Sequence, residues 1–597
     1  MMYVLYALAA IFILDSLRMR GRLSALAVAP PSGDAVSANH RFITAPGVTV
    51  DDTTQRAVSA WARTNGLDLV DIVPQDLPAV RAMSLAQVVD PLRYRRDRIA
   101  AGRTVGHAFL VSEDVATRSR MPDSVDDPAA FARLAGRLKH FAPTTSDLVV
   151  ATAVRAAPTD YTRRLAVLRA VIGPMTTIAM FVQPVFWLLM GLGVWASPIA
   201  GLVALGAWHL QPLLSIAGTK IHSRDLIVAT LFRAPIEVGM LIATLARRRP
   251  DPGDPVVAAR PIYDSLLAQG TGRFFEARRE TCPLCNSGDL RIQVRAHDLL
   301  QHKPGTFHLE RCRSCGHVFQ NPRLTLEGLD FYYKDFYDGL GEAGMEMIFG
   351  FGDEPYHARA KSVTEVATPT RWLDVGAGHG HFCCVAKGDL PDTTFDGLDL
   401  SESIDEAERR GWVRKGYRGL FPELAPTIAG NYDAVSMSHY LEHTLDPRAE
   451  VAAARTALSP GGVLMIEVPD PEFFLGRLLG KYWLPWFQPQ HQHLLSVKNL
   501  DTILREHQLT PLAWHRGAAH QRVDFFFAVW LALDRIAPPA RLPWRWRGAV
   551  SSAWRLGVWT VGFPFVVLGL LADRIADPFF RRAKISNTYR VVARREA

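Results

Sequence analysis

Apolar and polar positions fall into blocks along this chain, and the longest apolar block sets its class. From Ala170 to Thr219 there is no Asp, Glu, Lys or Arg. Roughly 50 uncharged residues supply two helices of about 20 residues each, the length that spans a bilayer core. Ser197-Pro198 near the middle predicts the turn of a hairpin over 170–219. Arg163, Arg164 and Arg169 precede the block, and Lys220 and Arg224 follow it, so both ends stay cytoplasmic. A second apolar run opens the chain, "MMYVLYALAAIFILDSLRMRGR", with its arginines after the apolar stretch. A cleaved leader carries its positive charge first. Residues 1–22 therefore read as an uncleaved anchor with a cytoplasmic C-terminal side, or, being short for a span, as an interfacial helix. Residues 226–249 hold Arg233, Pro235 and Glu237 among apolar residues and predict an amphipathic surface helix. A third full span there would put everything downstream outside the cell.

Shorter periods predict soluble units. "LDLVDIV", "HAFLVS" and "DLVVATAV" read as buried strands with helical stretches between, a small α/β unit over 40–160. It shows no nucleotide loop, paired metal-binding acids or nucleophile motif, and its role is unknown. In order of elements, anchor, α/β unit and hairpin, it resembles membrane glycosyltransferases with lipid acceptors, without their acidic metal motif. Residues 250–275 read as a linker. Beyond it, "RWLDVGAGHGHF", "FDGLDLS", "YDAVSMSHYLEH" and "ALSPGGVLMIEVP" alternate strand with helix. That spacing predicts a doubly wound, Rossmann-like parallel sheet, with ligands at the carboxyl ends of its strands.

Composition narrows the partners. The 597 residues are too many for one core, and the net charge of +8 is spread along the chain. No basic stripe is interleaved with aromatics, so acidic lipid headgroups are the expected polyanion and nucleic acid is not. Four of the six cysteines form two CxxC pairs, and the others are the adjacent Cys383 and Cys384. This is no disulfide framework; it indicates a reducing compartment with a metal site. Cys282, Cys285, Cys312 and Cys315 can set four thiolates around one Zn2+. A closed shell leaves no place for water, so that zinc is structural. His317 just beyond is a neighbour.

The glycine loop carries Asp374, Gly376, Gly378 and Gly380 as D-x-G-x-G-x-G. It has neither the lysine of a phosphate loop nor the spacing of the dinucleotide fingerprint. Asp399, about 20 residues on, is placed to accept hydrogen bonds from ribose hydroxyls. The succession "LDVGAGHG", "GLDLS", "YDAVSMSHYLEH" and "LSPGGVLMIEVP" resembles the class I S-adenosylmethionine-dependent methyltransferases. "CPLC…CRSCGHVFQNPR", followed by Tyr332-Tyr333, resembles a branch with an N-terminal zinc ribbon that includes sugar methyltransferases. The resemblance spans about 278–597 and leaves the N-terminal half unrecognised. It implies a ribbon over 278–335, a methyltransferase core over 336–517 and the core's last strand over 586–597. By the same resemblance, Asp374 and the three glycines hold the methionine end of S-adenosylmethionine and Asp399 its ribose, while Ser438 and His439 wall the site.

The resemblance also bears on residues 518–585, where "VDFFFAVWLAL" and "WRLGVWTVGFPFVVLGLLADR" interrupt the core. The family's last strand pairs with its predecessor, so this insertion crosses the membrane an even number of times or not at all. Trp544, Trp546, Trp554, Arg541, Arg545, Arg547 and Arg555 read as interfacial anchors of helices dipping into the cytoplasmic leaflet. A soluble helical lid is the alternative.

For the chemistry, a sulfonium methyl needs an aligned acceptor and, for most acceptors, a base. The histidine candidates are His439 and His443, which could share a helix face, and His491 and His493 after the fifth strand. Glu442 and Glu467 are weaker. No third ligand is evident beside His439 and His443, so no metal is expected there. His379 and His381 are expected to face solvent, and Cys383 and Cys384 to be small buried residues. The expectation is a multi-pass membrane methyltransferase with a cytoplasmic catalytic domain, acting on a lipid, a lipid-linked sugar or another envelope precursor. A bifunctional protein with a glycosyltransferase-like N-terminal unit and a non-catalytic cofactor-binding scaffold are the alternatives.

Overall fold

The computed structural model describes the chain except residues 1, 32, 34, 38, 95–103, 143–144, 173, 250, 252, 337–352, 517–522, 547 and 597. Arg547 and the expected start of the insertion at 518 lie outside the described residues. Two compact units emerge, Met1–Asp254 and Pro255–Ala597.

In the first unit, strands β1 (Ala27–Val28), β2 (His40–Thr44), β3 (Leu69–Pro74), β4 (Ala108–Ser112) and β5 (Ser146–Ala151) make one sheet. Its order is β1-β5-β3-β4-β2, parallel from β1 to β3 and antiparallel beyond. The three strands read from the sequence are β3, β4 and β5. The short β1 and β2 lack a long apolar run and escaped that reading, so the sheet begins before residue 40. Helix Asp52–Asn65 starts where the Asp51 carboxylate accepts from Thr54 N–H and stops at Gly66 in the left-handed region.

Among the described residues, three helices are long and apolar enough to cross a membrane: Met2–Ser24, Pro198–Ile216 and Val550–Arg582. Helix Pro174–Ala196 meets Pro198–Ile216 around Ser197, where a Cβ on Gly201 would lie 2.5 Å from the Val194 backbone. Met2–Ser24 lies against this pair: Leu5 touches Gly193, Gln211 donates to Asp15 at 3.1 Å, and Arg20 donates to the Leu214 carbonyl. Residues 226–249 differ from the single amphipathic helix expected. They form two helices, Leu226–Leu231 and Arg233–Ala246, broken at Phe232. Arg233 is buried, donating to Gln183, Gln211 and Glu237, so a charged residue faces the hairpin's polar atoms and not water.

The second unit begins with a helix, Pro255–Ala268, where a linker was expected; Tyr263 anchors it in an aromatic cluster with Phe274 and Phe331. β6 (Leu290–Ala296), β7 (Phe307–Cys312) and β8 (Val318–Gln320) form an antiparallel sheet carrying the cysteine knuckles. The main sheet uses β9 (Arg371–Val375), β10 (Thr394–Asp399), β11 (Gly416–Arg418), β12 (Tyr432–Ser438) and β13 (Leu458–Pro469). β14 (His493–Leu494) leaves it to pair with β8 in the cysteine sheet. β15 (Leu509–Arg516) returns, a small hairpin of β16 (Arg541–Leu542) and β17 (Arg545–Trp546) intervenes, and β18 (Thr588–Arg595) closes the sheet. The order is β11-β10-β9-β12-β13-β18-β15, with β18 antiparallel to both neighbours. The strand order reverses between β9 and β12, the switch point where such sheets open a crevice. Leu373, Val435, Leu464 and Val591 are fully buried beneath it.

The insertion is an antiparallel pair of unequal helices, Asp524–Ile536 and Ala549–Arg582. Gly562 faces Leu533 and Gly569 faces Phe525, which fixes the direction. Asp573 accepts from the N–H groups of Phe525 and Phe526 and so caps the shorter helix. Asp524 takes bonds from Trp483 and Asn587, joining both feet of the pair to the core. The longer helix leaves Val561, Phe565, Leu568, Ile575 and Phe579 exposed.

Candidate functional site

The glycine loop leaves β9 at the switch point. Gly376 and Ala377 donate to the Leu398 carbonyl, which ties the loop to the end of β10. Gly376 has φ of 74°, and a Cβ there would lie 2.6 Å from the Tyr440 ring. Gly378 also has positive φ, but open space lies where its Cβ would be. The backbone is therefore bare at Gly378 and packed shut at Gly376. Gly380 begins helix His381–Asp389, and a Cβ there would meet Ala407.

Asp399 braces this loop. Its two carboxylate oxygens accept from Gly378 N–H at 2.8 Å and Ser401 N–H at 2.9 Å. An ionised carboxylate has about four acceptor positions, so the pair expected to meet a ribose keeps capacity for it. Asp374 is buried and accepts from the Ser436 hydroxyl at 2.6 Å, which in turn accepts from Trp372 Nε1. Burial pushes the Asp374 carboxyl up to about 7, although Ser436 and the Arg359 charge pull the other way. Ser438 ends β12, and its buried hydroxyl has no hydrogen-bond partner among the described residues. An orphaned hydroxyl, a bare glycine backbone and a carboxylate with spare lone pairs all sit at one sheet end. They fit a nucleoside-bearing cofactor.

The residues after β12 do not lie along one helix face. His439 turns the chain with φ of 51°, and Leu441–His443 is a single 3-10 turn. His439 Nδ1 meets Glu442 at 3.0 Å and its Nε2 meets Glu467 at 3.3 Å. Burial alone would discharge this imidazole, but the two carboxylates outweigh it and raise it to about 9. Both ring nitrogens of His439 are thus engaged by carboxylates, an arrangement that favours the charged ring over a proton acceptor. Glu467 is fully buried, with Arg359 donating to one oxygen at 3.0 and 2.7 Å and Arg590 gripping the other. Its carboxyl stays well below the ordinary range because these charges outweigh burial.

His443 and His491 come together, their rings 4.6 Å apart and nearly perpendicular. His443 Nδ1 meets the Tyr333 hydroxyl at 2.6 Å, and His491 Nδ1 meets the Pro485 carbonyl at 2.8 Å. Burial lowers both imidazoles, His491 to about 3, so both are neutral. Glu442 lies beside them and, despite its burial, is held down at about 2 by His439. His493 is elsewhere: it sits on β14, stacks on His317 at 5.2 Å and accepts or donates at its Nδ1 at 3.2 Å. Its other nitrogen meets the Leu445 carbonyl at 3.2 Å.

Cys282, Cys285, Cys312 and Cys315 converge. Cys282 and Cys315 lie 3.6 Å apart through sulfur, Cys285 and Cys312 3.5 Å. Four thiolates about 2.3 Å from one zinc stand about 3.8 Å from each other, so the donor set fits the ion. His317 lies 3.8 Å from Cys282 Sγ, outside the four. His379 and His381 are half-buried, the latter packed on Trp412, and not the solvent-facing pair expected. Cys383 is buried and Cys384 only partly so.

Sequence reasoning gave no site role to Arg359, Ser436 or Arg590, and named Tyr333 only beside the cysteine knuckles. Each reaches its partner across 62 to 123 residues of chain, and no local pattern announces such a contact.

Residues 355–513 match a family model described as "Methyltransferase domain". The chain is 30% identical over 152 residues to the ubiquinone biosynthesis O-methyltransferase of Bordetella avium (strain 197N), covering 24% of this chain and 62% of that protein. It is 32% identical over 133 residues to the protein of the same name from Marinobacter nauticus, covering 21% and 55%. The chain thus spans under two thirds of these relatives' length. A crystal structure of a SAM dependent methyltransferase from Archaeoglobus fulgidus overlaps 42% of this chain and 98% of its own at 17% identity, with a TM-score of 0.28.

Proposed function

We propose that this chain, which carries a methyltransferase domain over residues 355–513, transfers the methyl group of S-adenosylmethionine to an acceptor at a membrane surface. The arrangement at the switch point carries the reading: Gly378 bare, Asp399 braced beside it and Ser438 Oγ orphaned. When bound, the cofactor supplies an electrophilic sulfonium methyl, so the chain's own work is alignment and charge. Asp374 and the glycine loop hold the methionine end, Asp399 the ribose, and Ser438 walls the pocket. His439, pinned between Glu442 and Glu467, fixes the wall and sets a positive charge there. The neutral imidazoles His443 and His491 flank Glu442 beside it.

The helices support the choice of acceptor class. Three can cross a membrane, and one of them interrupts this very domain, with apolar side chains exposed along it. A lipid, a lipid-linked sugar or another envelope precursor is the substrate that such a placement serves, with the domain on the cytoplasmic side. The relatives' names, O-methyltransferases, favour oxygen as the methylated atom. The four cysteines hold a structural Zn2+ as a ribbon packed on the domain.

Comparing lipid and glycolipid masses between a deletion strain and its parent tests the acceptor, the expected result being a species lighter by one methylene unit. Calorimetry with the cofactor and its demethylated product tests the pocket; a folded protein that releases no heat with either overturns the reading.

A further inference from the structure

Glu442, His443 and His491 each turn an unused acceptor toward the others. Their donor atoms lie within 4.8 Å of one another. The Pro485 carbonyl can only accept, so His491 Nδ1 is the protonated nitrogen and its Nε2 keeps a lone pair. The Tyr333 hydroxyl meets the Gln490 carbonyl at 3.3 Å and His443 Nδ1 at 2.6 Å; donating to the carbonyl and accepting from Nδ1 is the arrangement that would leave Nε2 of His443 its lone pair. Glu442 Oε1 is taken by His439, whereas Oε2 is buried with no hydrogen-bond partner among the described residues. Glu442 as a whole is only 2% exposed. One nitrogen from each imidazole and one carboxylate oxygen thus lie within a single ion's reach, and Glu442 Oε2 is unpartnered among the described residues. Buried acceptors left this way cost free energy, and a proton would satisfy only two of the three.

We propose that Glu442, His443 and His491 bind a divalent first-row transition cation, at a second metal site separate from the four cysteines. Two imidazoles and a carboxylate suit that class of ion, and three protein ligands leave coordination positions open. Each outer contact matches the pattern such sites need: Tyr333 and Pro485 hold the Nδ1 atoms and orient the rings, and His439 steadies the carboxylate. Donors around one ion of this size stand about 3–3.5 Å apart, so the triad must close by about 1.5 Å at its widest, a matter of small side-chain rotations. Tyr440, two residues before Glu442, packs on Gly376. On the proposed methyl-transfer reading, an acceptor oxygen would complete the shell.

The test counts metal on the full chain in detergent, without any methyl transfer. Elemental analysis after loading with Co2+ or Zn2+ should give one equivalent more in the wild type than in His491→Asn or Glu442→Gln. Cobalt at this site should absorb without the sulfur-to-metal charge transfer that marks the cysteine site. Tyr333→Phe, which keeps all three ligands, should weaken the extra equivalent by about 10–100-fold. Retention of cysteine-bound metal in each variant reports that the fold survives. Equal metal content in wild type and both ligand variants, with the fold intact, overturns the proposal. So does an extra equivalent that Tyr333→Phe leaves at full affinity. Failure of the methyltransferase reading would appear separately, as loss of cofactor binding with the metal count unchanged.

Discussion

The hydroxyl of Tyr333 stands 2.6 Å from Nδ1 of His443, a contact between residues 110 apart in sequence. It joins the helix that follows the cysteine knuckles to the turn that follows β12. Removing the hydroxyl frees the ring to change tautomer while leaving the cofactor pocket intact. Tyr333→Phe is expected to lower kcat about tenfold, with cofactor affinity unchanged, the usual scale for an orienting contact. Steady-state kinetics beside calorimetry checks this; equal losses in both would place Tyr333 in the cofactor pocket instead.

Asp374 makes cofactor binding depend on pH. Its carboxyl is raised to about 7, chiefly by burial. The cofactor's amino and sulfonium charges favour the ionised form, so binding should expel a proton. Affinity should therefore rise from pH 6 toward pH 8 and level off above it, by at most tenfold per pH unit. Calorimetry in buffers of different ionisation heat would detect the released proton. Asp374→Asn should bind more weakly and with a flat pH profile.

Glu467 is fully buried between two guanidinium groups. Arg590→Ala leaves a buried charge without half of its compensation, and such losses run to about 3–5 kcal/mol. Arg359→Ala should cost a similar amount. Chemical denaturation of the detergent-solubilised chain measures both, and a cost below about 1 kcal/mol would mean that water reaches the carboxylate.

Cys312→Ser should remove a zinc from each chain, as read by elemental analysis. Because Cys282 touches His317, and His317 touches His493, the loss should spread past the knuckles. Hydrogen exchange at β14 should accelerate in the variant, while exchange at β9 and β10 should not.

On helix Ala549–Arg582, Val561 and Leu568 are exposed at 72% and 58%. If this face meets lipid, one charge placed on it costs about 2.5–3.5 kcal/mol at mid-bilayer. Fractionation would show Val561→Lys with Leu568→Lys shifting a fragment beginning at Pro255 from the pellet toward the soluble phase. A soluble lid predicts no shift.

The sheet and the cofactor end of the site were legible because each is written within a few residues. "LDVGAGHG" puts strand, acid and glycines in one stretch, and "GLDLS" puts Asp399 at a strand end. The same holds for the four cysteines, whose spacing is itself the geometry. The histidines were not legible. His439 and His443 are four residues apart, which suits a helix, yet Glu467 pulls on His439 from a neighbouring strand and the chain turns there. His491 and His493 are two apart, yet the first turns to the Pro485 carbonyl while β14 gives the second to His317 in the cysteine sheet. The linker reading of 250–275 failed for a related reason: Pro255 and Pro261 look like breakers, but packing of Tyr263 sustains a helix through them.

β18 lies between β13 and β15 and brings Arg590 to Glu467. It is also the last strand of its sheet to leave the ribosome, after the whole apolar helix pair. Until β18 follows that pair, the sheet has a gap between β13 and the edge strand β15, and Glu467 lacks one of its two clamps. Synthesis order thus makes completion of the sheet wait on the apolar helix pair: a nascent domain stalled before β18 stays incomplete, open to proteolysis and without a finished site.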